Sequence, residues 1–213
     1  MTRRAMALAI FATAAITAPA LAYTLVPAGQ AIAIAKSAFT VVPTIAWNRM
    51  TKPAGRRCEI WTRDGIALNE VSFYAGIADN EILFRKPDRA NAPLPRFAAT
   101  MLAPDIAQLF ESSYRLAGDS ALFAIDTIEP ALLAGHRGFR FGYSYVPGRD
   151  HVKRRGEATG AVIDGRLYMI TFEAPAIHYF DRDLAAYRAL AASATLPSGG
   201  GDATRPPGGT PAG

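Results

Sequence analysis

Residues 135–145 read GHRGFRFGYSY, and this stretch decides the fold. Every second position from Phe139 to Tyr145 carries an aromatic ring, four rings in all. Because successive side chains of a β-strand point to opposite faces, a strand places all four rings on one face of a sheet. Burying each ring contributes about 1.5–3 kcal/mol, so the four contribute about 6–12 kcal/mol, comparable with the net stability of a whole domain. We therefore predict that this aromatic stripe faces the core.

The same stretch partly resembles an RNA-binding strand, in which a basic residue and a glycine precede alternating aromatic residues. Arg140, Gly142 and Ser144 stand where that pattern requires a small, an aliphatic and an aromatic residue. Half of the pattern is therefore missing, and a buried stripe has no ring left to stack on a base. We expect no nucleic-acid partner.

The N-terminus has the pattern of a secretory signal peptide. Two arginines precede an uncharged apolar run over residues 5–17, and the small residues Ala20 and Ala22 follow it. This order predicts cleavage after Ala22 and a periplasmic or secreted protein. The alternative is that residues 1–22 remain as an uncleaved membrane anchor, because the apolar run is nearly long enough to span a bilayer.

The rest of the chain divides into three parts. Residues 23–36 are rich in alanine and weakly patterned, and we expect them to form a lead-in. Residues 37–196 have the usual size of one domain. Residues 197–213 are rich in glycine and proline and cannot bury enough apolar surface to order themselves, which predicts a disordered tail. Cys58 is the one cysteine of the sequence, so we expect a small buried hydrophobe rather than a disulfide.

Local signals place a group of strands before each of two helices. Asp64-Gly65 and Asp164-Gly165 supply the positive φ values of tight hairpin turns. A first helix is expected from Pro104, and the residues on its apolar face are Ile106, Leu109, Phe110 and Tyr114. A last helix is expected over residues 181–196, with Asp181 as its N-cap. The residues that share one face of this last helix are Leu184, Tyr187 and Ala191. Hairpins rather than long crossovers predict an α+β fold with a largely antiparallel sheet flanked by helices.

A cluster of basic residues follows the aromatic stripe. It consists of Arg149, Lys153, Arg154 and Arg155. Proline and glycine border the segment, so we expect a hairpin tip in solvent. The alternative is an anion-binding surface that contacts an acidic envelope protein or an anionic membrane.

Catalysis has one weak set of candidate residues. His178 lies between Glu173 and Asp181 in the sequence, and a histidine held by a carboxylate can act as a general base. The other interpretation is that this segment simply connects the last strand to the last helix. The sequence contains no nucleophile elbow, no phosphate-binding glycine loop and no metal-spaced His/Cys cluster, so we expect neither a metal nor a cofactor.

Several stretches together resemble one family. FTVVPTIAWNR resembles a first strand, EIWTRDG a hairpin, LAGHRGFRFGYSY a strand in the middle of the sheet, and GRLYMITFEAP the strand before the final helix. This order is similar to the PsbP-like proteins, which include DcrB-type bacterial periplasmic proteins, over residues 37–196. The resemblance implies an α-β-α sandwich and an accessory role in partner binding without catalysis. The lipoprotein members carry a lipid-modified cysteine after the leader, and this sequence has none there.

We therefore expect an exported, non-enzymatic accessory or protein-interaction domain of the bacterial envelope. One alternative is a small periplasmic hydrolase that uses His178 with a nearby carboxylate. The other is a carrier of an apolar ligand. The partner is expected to be an envelope protein or an anionic membrane surface.

Overall fold

The computed structural model describes residues 23–51, 55, 57–83, 93–117, 122–148 and 151–197. The predicted signal peptide lies outside these residues, as does the predicted tail beyond Pro197.

Two groups of strands, each followed by a helix, make up the described part of the chain. The strands are β1 (Tyr23–Val26), β2 (Ile32–Ala33), β3 (Thr40–Val41), β4 (Trp47–Met50), β5 (Cys58–Thr62), β6 (Glu70–Ile77), β7 (Leu122–Leu133), β8 (His136–Val146), β9 (Arg154–Ile163) and β10 (Arg166–Pro175). The helices are α1 (Ala103–Ala117) and α2 (Tyr179–Ala192), and a short 3-10 helix spans Ile34–Lys36.

Eight of the strands form one sheet. Its order is β1-β4-β5-β6-β10-β9-β8-β7, and β2 pairs separately with β3. Every neighbouring pair is antiparallel. The predicted fold class, a largely antiparallel sheet flanked by helices, is confirmed.

Each face of the sheet has its own core. On one face, Ile106 and Phe110 of α1 pack with Tyr74 and Met169. On the other face, Phe180, Tyr187 and Leu190 of α2 pack with Trp47, Trp61, Phe73, Ile170 and Phe172. Alternate residues of β6 and β10 belong to opposite cores, as the two-residue period of a strand requires. The sheet is therefore the middle layer of an α-β-α sandwich.

The aromatic stripe of β8 is buried in the core on the α1 side, as predicted. Glycines of the neighbouring strand make room for it. Phe139 lies opposite Gly160, and Tyr143 lies opposite Gly156. A methyl group on either glycine would overlap the ring beside it. The rings can therefore lie flat across β9, which brings the Tyr143 hydroxyl towards β10.

The two predicted Asp-Gly turns have different outcomes. Asp164 and Gly165 have φ values of 51° and 70° and join β9 to β10, as predicted. At Asp64-Gly65 the predicted hairpin is present, since β5 pairs antiparallel with β6 and Gly65 has a φ of 107°, but the prediction of a tight turn is wrong, because β5 ends at Thr62 and β6 begins only at Glu70. The Asn69 side chain closes this wider loop: its Oδ1 accepts hydrogen bonds from the backbone N–H groups of Arg63 at 2.7 Å and Asp64 at 3.1 Å.

Helix α1 carries the predicted buried residues, and Asp105 Oδ2 accepts a hydrogen bond of 2.9 Å from the Leu102 N–H at its start.

The predicted start of α2 is wrong. The helix begins at Tyr179, so Asp181 lies inside its first turn and is not the N-cap. The reason is a tight turn at His178, with φ 69° and ψ −57°, in which the Tyr179 N–H bonds the Ile177 carbonyl at 2.8 Å.

Residues 23–36 are part of the fold and not a lead-in. Tyr23–Val26 pairs with β4 as an edge strand of the sheet, and Ile34 is buried in the core on the α2 side. The pattern of apolar and polar residues does not predict that residues 23–36 belong to the fold. The few apolar side chains of this segment pack between elements that are distant in the sequence.

Asp183 joins α2 to the loop between β5 and β6. Its carboxylate is buried and accepts hydrogen bonds from Arg63 at 3.0 Å and from Asn69 at 2.9 Å, and it also pairs with Arg182. Burial by itself raises the pKa of Asp183, but the hydrogen bonds from Arg182 and Asn69 and the positive charges of Arg182 and Arg63 together outweigh it, so the pKa lies below its ordinary value. This ion pair network is structural.

Candidate functional site

A row of residues crosses the sheet at the end where β6 and β9 begin and β8 and β10 end. Strand register places Glu70, Glu173, Gly156 and Tyr143 side by side on four neighbouring strands. All face α1. Because Gly156 has no side chain, the Tyr143 ring lies over it and its hydroxyl donates a hydrogen bond of 3.2 Å to Glu173 Oε2.

Two more tyrosines reach the same carboxylate. Tyr145 donates a hydrogen bond of 2.6 Å to Glu173 Oε1, and the hydroxyl of Tyr114 from α1 lies 2.9 Å from each carboxylate oxygen. We call Glu70, Glu173, Tyr114, Tyr143 and Tyr145 the tyrosine–glutamate cluster. It bonds α1, β8 and β10 together beneath the helix.

Glu70 is the second carboxyl group of the cluster and faces Glu173 across the pair of strands. Burial raises the pKa of Glu70 to about 7, and the charge of Glu173 adds to this effect. The Ser72 hydroxyl, which lies 2.7 Å from Glu70 Oε1, and the positive charge of Arg154 act in the opposite direction. The cluster therefore holds a proton on Glu70 at neutral pH or slightly below it.

The tyrosines of the cluster remain protonated hydrogen-bond donors. Burial raises the pKa of Tyr114, Tyr143 and Tyr145, and the negative charge of Glu173 raises it further. A protonated phenol is a poor nucleophile and a poor base. The chemistry of this cluster is therefore that of a hydrogen-bonded support for α1.

The predicted catalytic residues do not form a catalytic group among the described residues. Glu173 serves as the acceptor of the tyrosines, and Asp181 pairs with Arg155 at 3.2 Å. His178 is exposed; its ring contacts the edge of Tyr179 and makes no hydrogen bond to either acid. The three residues are therefore close in the sequence, but the structure does not bring their functional groups together.

The predicted basic surface is divided by the start of β9. Arg149 lies outside the described residues, and Lys153 is exposed. Arg154 is buried on the α1 side beside the cluster, and Arg155 projects to the α2 side, where its guanidinium lies 4.4 Å from the centre of the Phe180 ring. Alternation along a strand explains this, since neighbouring side chains cannot share a face.

A surface cleft of about 450 Å³ adjoins the tyrosine–glutamate cluster. It is lined by Arg115, Leu122, Phe123, Ala124, Ser144, Tyr145, Val146 and Lys153. Tyr145 therefore belongs both to the cluster and to the cleft. Among these described residues the lining includes two cations and no acidic side chain.

Exposed apolar residues of three separate elements lie at the end of the sheet that holds the cleft. Leu116 lies on the last turn of α1, Leu122 begins β7, and Ile177 lies between β10 and α2. Ile177 is 81% exposed and Leu122 is 68% exposed. The backbone of Lys153 joins the last of these elements to the cleft, because its carbonyl accepts a hydrogen bond of 2.9 Å from the Ala176 N–H. We call Leu116, Leu122, Lys153 and Ile177 the loop end.

Within the described part of the chain, no group of three or more His, Cys, Asp or Glu side chains is arranged to hold a metal ion. Neither described helix is long and apolar enough to cross a membrane. Cys58 is buried, as predicted, and its Sγ contacts the Leu83 carbonyl at 3.5 Å. Burial raises the pKa of this thiol to about 12, so it is not reactive.

Sequence reasoning missed Glu70 and Tyr114. Glu70 and Ser72 alternate with apolar residues in EVSFY, which is a signal that one face of this strand is polar. Tyr114 ends the apolar stripe of α1 with a hydroxyl group, and a buried hydroxyl requires a partner. These two signals point to a polar site beneath the helix, but they do not identify Glu173 as the shared acceptor.

Neither a family model nor a curated protein matches the chain. Among solved structures, the solution structure of cyanobacterial PsbP (CyanoP) from Synechocystis sp. PCC 6803 matches with a TM-score of 0.52 and 17% identity, over 87% of this chain and 98% of that chain. The crystal structure of LpqN, involved in cell envelope biogenesis of Mycobacterium tuberculosis, has a TM-score of 0.33 and 12% identity, over 84% of this chain and 86% of that chain.

The second likeness is too weak to support an argument, and the first, at such low identity, concerns the fold alone. It agrees with the eight-stranded antiparallel sheet, the two covering helices and the order of elements described above. The chain has a PsbP-like fold.

Proposed function

We propose that this chain is a non-enzymatic accessory domain of the bacterial envelope that binds its partner with the loop end. The observation that carries the proposal is the set of exposed aliphatic side chains at the end of the sheet that holds the cationic cleft. Large exposed apolar side chains that gather at one place commonly mark an interaction surface. A periplasmic or secreted location is proposed from the leader pattern of residues 1–22.

The tyrosine–glutamate cluster supports the same function. It fixes the end of α1 to β8 and β10 through hydrogen bonds to one carboxylate. Arg115 and Leu116 follow Tyr114 directly in the sequence, so their positions at the end of α1 depend on this support. A binding surface held rigid before binding loses less conformational entropy when the complex forms.

The alternative hydrolase has less support. It requires His178 to share a proton with an acid, and both candidate acids are engaged by other residues. An apolar-ligand carrier finds some support in the cleft, but Leu122 on its rim is largely exposed, whereas small-molecule pockets bury most of the ligand surface.

Affinity capture with matched variants tests the proposal. Leu122→Ser and Ile177→Ser alter the loop end, and Leu132→Ser is the control, because Leu132 is 65% exposed on the same strand as Leu122. Ten residues of strand, at about 3.3 Å each, separate these two leucines by roughly 33 Å.

We expect an envelope component to be captured by the wild-type chain and by Leu132→Ser, and to be lost with the two loop-end variants. Equal capture by all four proteins would contradict the proposal. Ester hydrolysis that disappears in His178→Ala would instead support the enzyme.

A further inference from the structure

We infer that the loop end docks on an anionic lipid surface, with its aliphatic side chains entering the headgroup region and its cations contacting lipid phosphates. This inference rests on the proposed function and specifies the partner.

The backbone at His178 holds Ile177 out of the fold. The hydrogen bond from the Tyr179 N–H to the Ile177 carbonyl, together with the positive φ of His178, defines a γ-turn of a kind that is rare for residues other than glycine. Strained turns persist where the surrounding structure enforces them, and they are concentrated at functional sites. Here the turn lies between β10 and α2, and the residue that it exposes to water is Ile177.

The aliphatic residues of the loop end come from three elements that meet at the end of the sheet that holds the cleft. Leu122 lines the cleft itself, Leu116 follows the cleft residue Arg115, and Ile177 lies one residue beyond the backbone contact with Lys153. A protein interface usually has a continuous packed centre that is rich in aromatic residues. Separate aliphatic side chains on three neighbouring elements suit a fluid interface, which needs no matching shape.

The charges of the loop end favour anionic lipid. Arg115 and Lys153 both line the cleft, and the guanidinium of Arg115 remains accessible although it pairs with Glu111 at 2.8 Å and donates to the Phe123 carbonyl at 2.6 Å. Arg155, on the other face of the sheet, pairs with the exposed Asp181 and adds little net charge. Long basic side chains beside apolar residues can extend to phosphates while the apolar groups enter the membrane.

Vesicle sedimentation tests the inference. The chain is recovered from the envelope fraction of a bacterial host, so that any processing of residues 1–22 is already complete and is common to all variants. It is mixed with vesicles of phosphatidylglycerol and phosphatidylethanolamine in equal parts, or with phosphatidylcholine alone. We expect binding to the anionic vesicles only, and release at about 1 M salt, where the Debye length is about 3 Å.

Matched variants distinguish membrane binding through the loop end from nonspecific binding to vesicles. Lys153→Ala is expected to weaken partitioning about fivefold, the usual effect of removing one surface cation, and Ile177→Ser about tenfold, because burial of part of the side chain is lost. The controls Arg137→Ala and Leu132→Ser change a neighbouring cation and leucine at the opposite end of β7 and β8, and they should bind as the wild type does. Thermal unfolding monitors whether each variant is folded.

Equal binding to both kinds of vesicle, or equal losses in the loop-end and control variants, would overturn the inference. If vesicles are not bound but capture of an envelope protein still depends on Leu122 and Ile177, the lipid inference fails and the proposed function stands. If neither vesicles nor envelope components are bound, both fail.

Discussion

Glu70 has a direct consequence for stability. The pKa of its carboxyl group rises from 4.5 to about 7 on folding, so the folded chain retains a proton that the unfolded chain releases between these pH values. The free energy of unfolding therefore falls as pH rises across this interval, and the contribution is fully present only below the lower value. The groups that face Glu70 are Glu173, Ser72 and Arg154.

We predict that Glu70→Gln removes most of this fall in stability between pH 5 and pH 8, because glutamine stays neutral throughout. Urea unfolding midpoints measured across that range test it. Glu129→Gln is the control, since Glu129 is an exposed residue of β7. A Glu70→Gln variant whose stability declines with pH as steeply as that of the wild type would show that another group titrates.

Glycine is required at position 156 because the Tyr143 ring fills the space that a side chain would occupy, and not because of a turn. A side chain at this position would overlap Tyr143 and force the stripe to move. We predict that Gly156→Ala lowers the free energy of unfolding by about 1–3 kcal/mol, the usual cost of overpacking. Gly142→Ala is the matched control, because its methyl group would meet the movable hydroxyl of Thr127. Denaturant unfolding should show a smaller loss for Gly142→Ala than for Gly156→Ala.

At the scale of elements, one hydroxyl group attaches α1 to the sheet. Tyr114→Phe keeps the ring contacts with Phe110 and Phe123 but removes the hydrogen bond to Glu173. We predict a loss of about 1.5–3 kcal/mol in the free energy of unfolding, the usual range for a hydrogen bond to a charged group. In a Glu173→Gln background the same substitution should cost less, and an equal cost in both backgrounds would exclude the proposed coupling.

The elements also differ in how far their sequences predict them. The stripe of β8, the β9–β10 hairpin and the buried face of α1 depend on periods of two or about four residues and on one Asp-Gly pair, all of which are local. The predicted start of α2 is wrong because the turn at His178 adopts a conformation that histidine seldom favours. The wider loop after β5 depends on the Asn69 side chain, which is held by Asp183 from a helix far along the chain.

At the scale of the whole molecule, two cores share one sheet. Ile106 lies in the core on the α1 side and Ile170 in the core on the α2 side. We predict that Ile106→Val and Ile170→Val each lower the free energy of unfolding by about 0.5–1.5 kcal/mol. Because the two residues lie in different cores, the double variant should lose the sum to within about 0.5 kcal/mol.

Tryptophan fluorescence and far-UV circular dichroism should report the same single transition for each of these variants. Trp47 and Trp61 both belong to the core on the α2 side. If Ile106→Val shifts the circular dichroism transition but leaves the fluorescence transition in place, the two cores unfold separately and the prediction is wrong.

The sequence by itself determined a largely antiparallel sheet flanked by two helices, with an aromatic strand turned inward. These follow from the spacing of apolar residues along single elements. The tertiary structure alone decided that Glu70, Glu173 and Tyr114 meet, and that Arg154 is buried while Lys153 lines the same cleft as Leu122. Such groupings depend on strand order and register, which join residues that are distant in the sequence, and no local pattern encodes them.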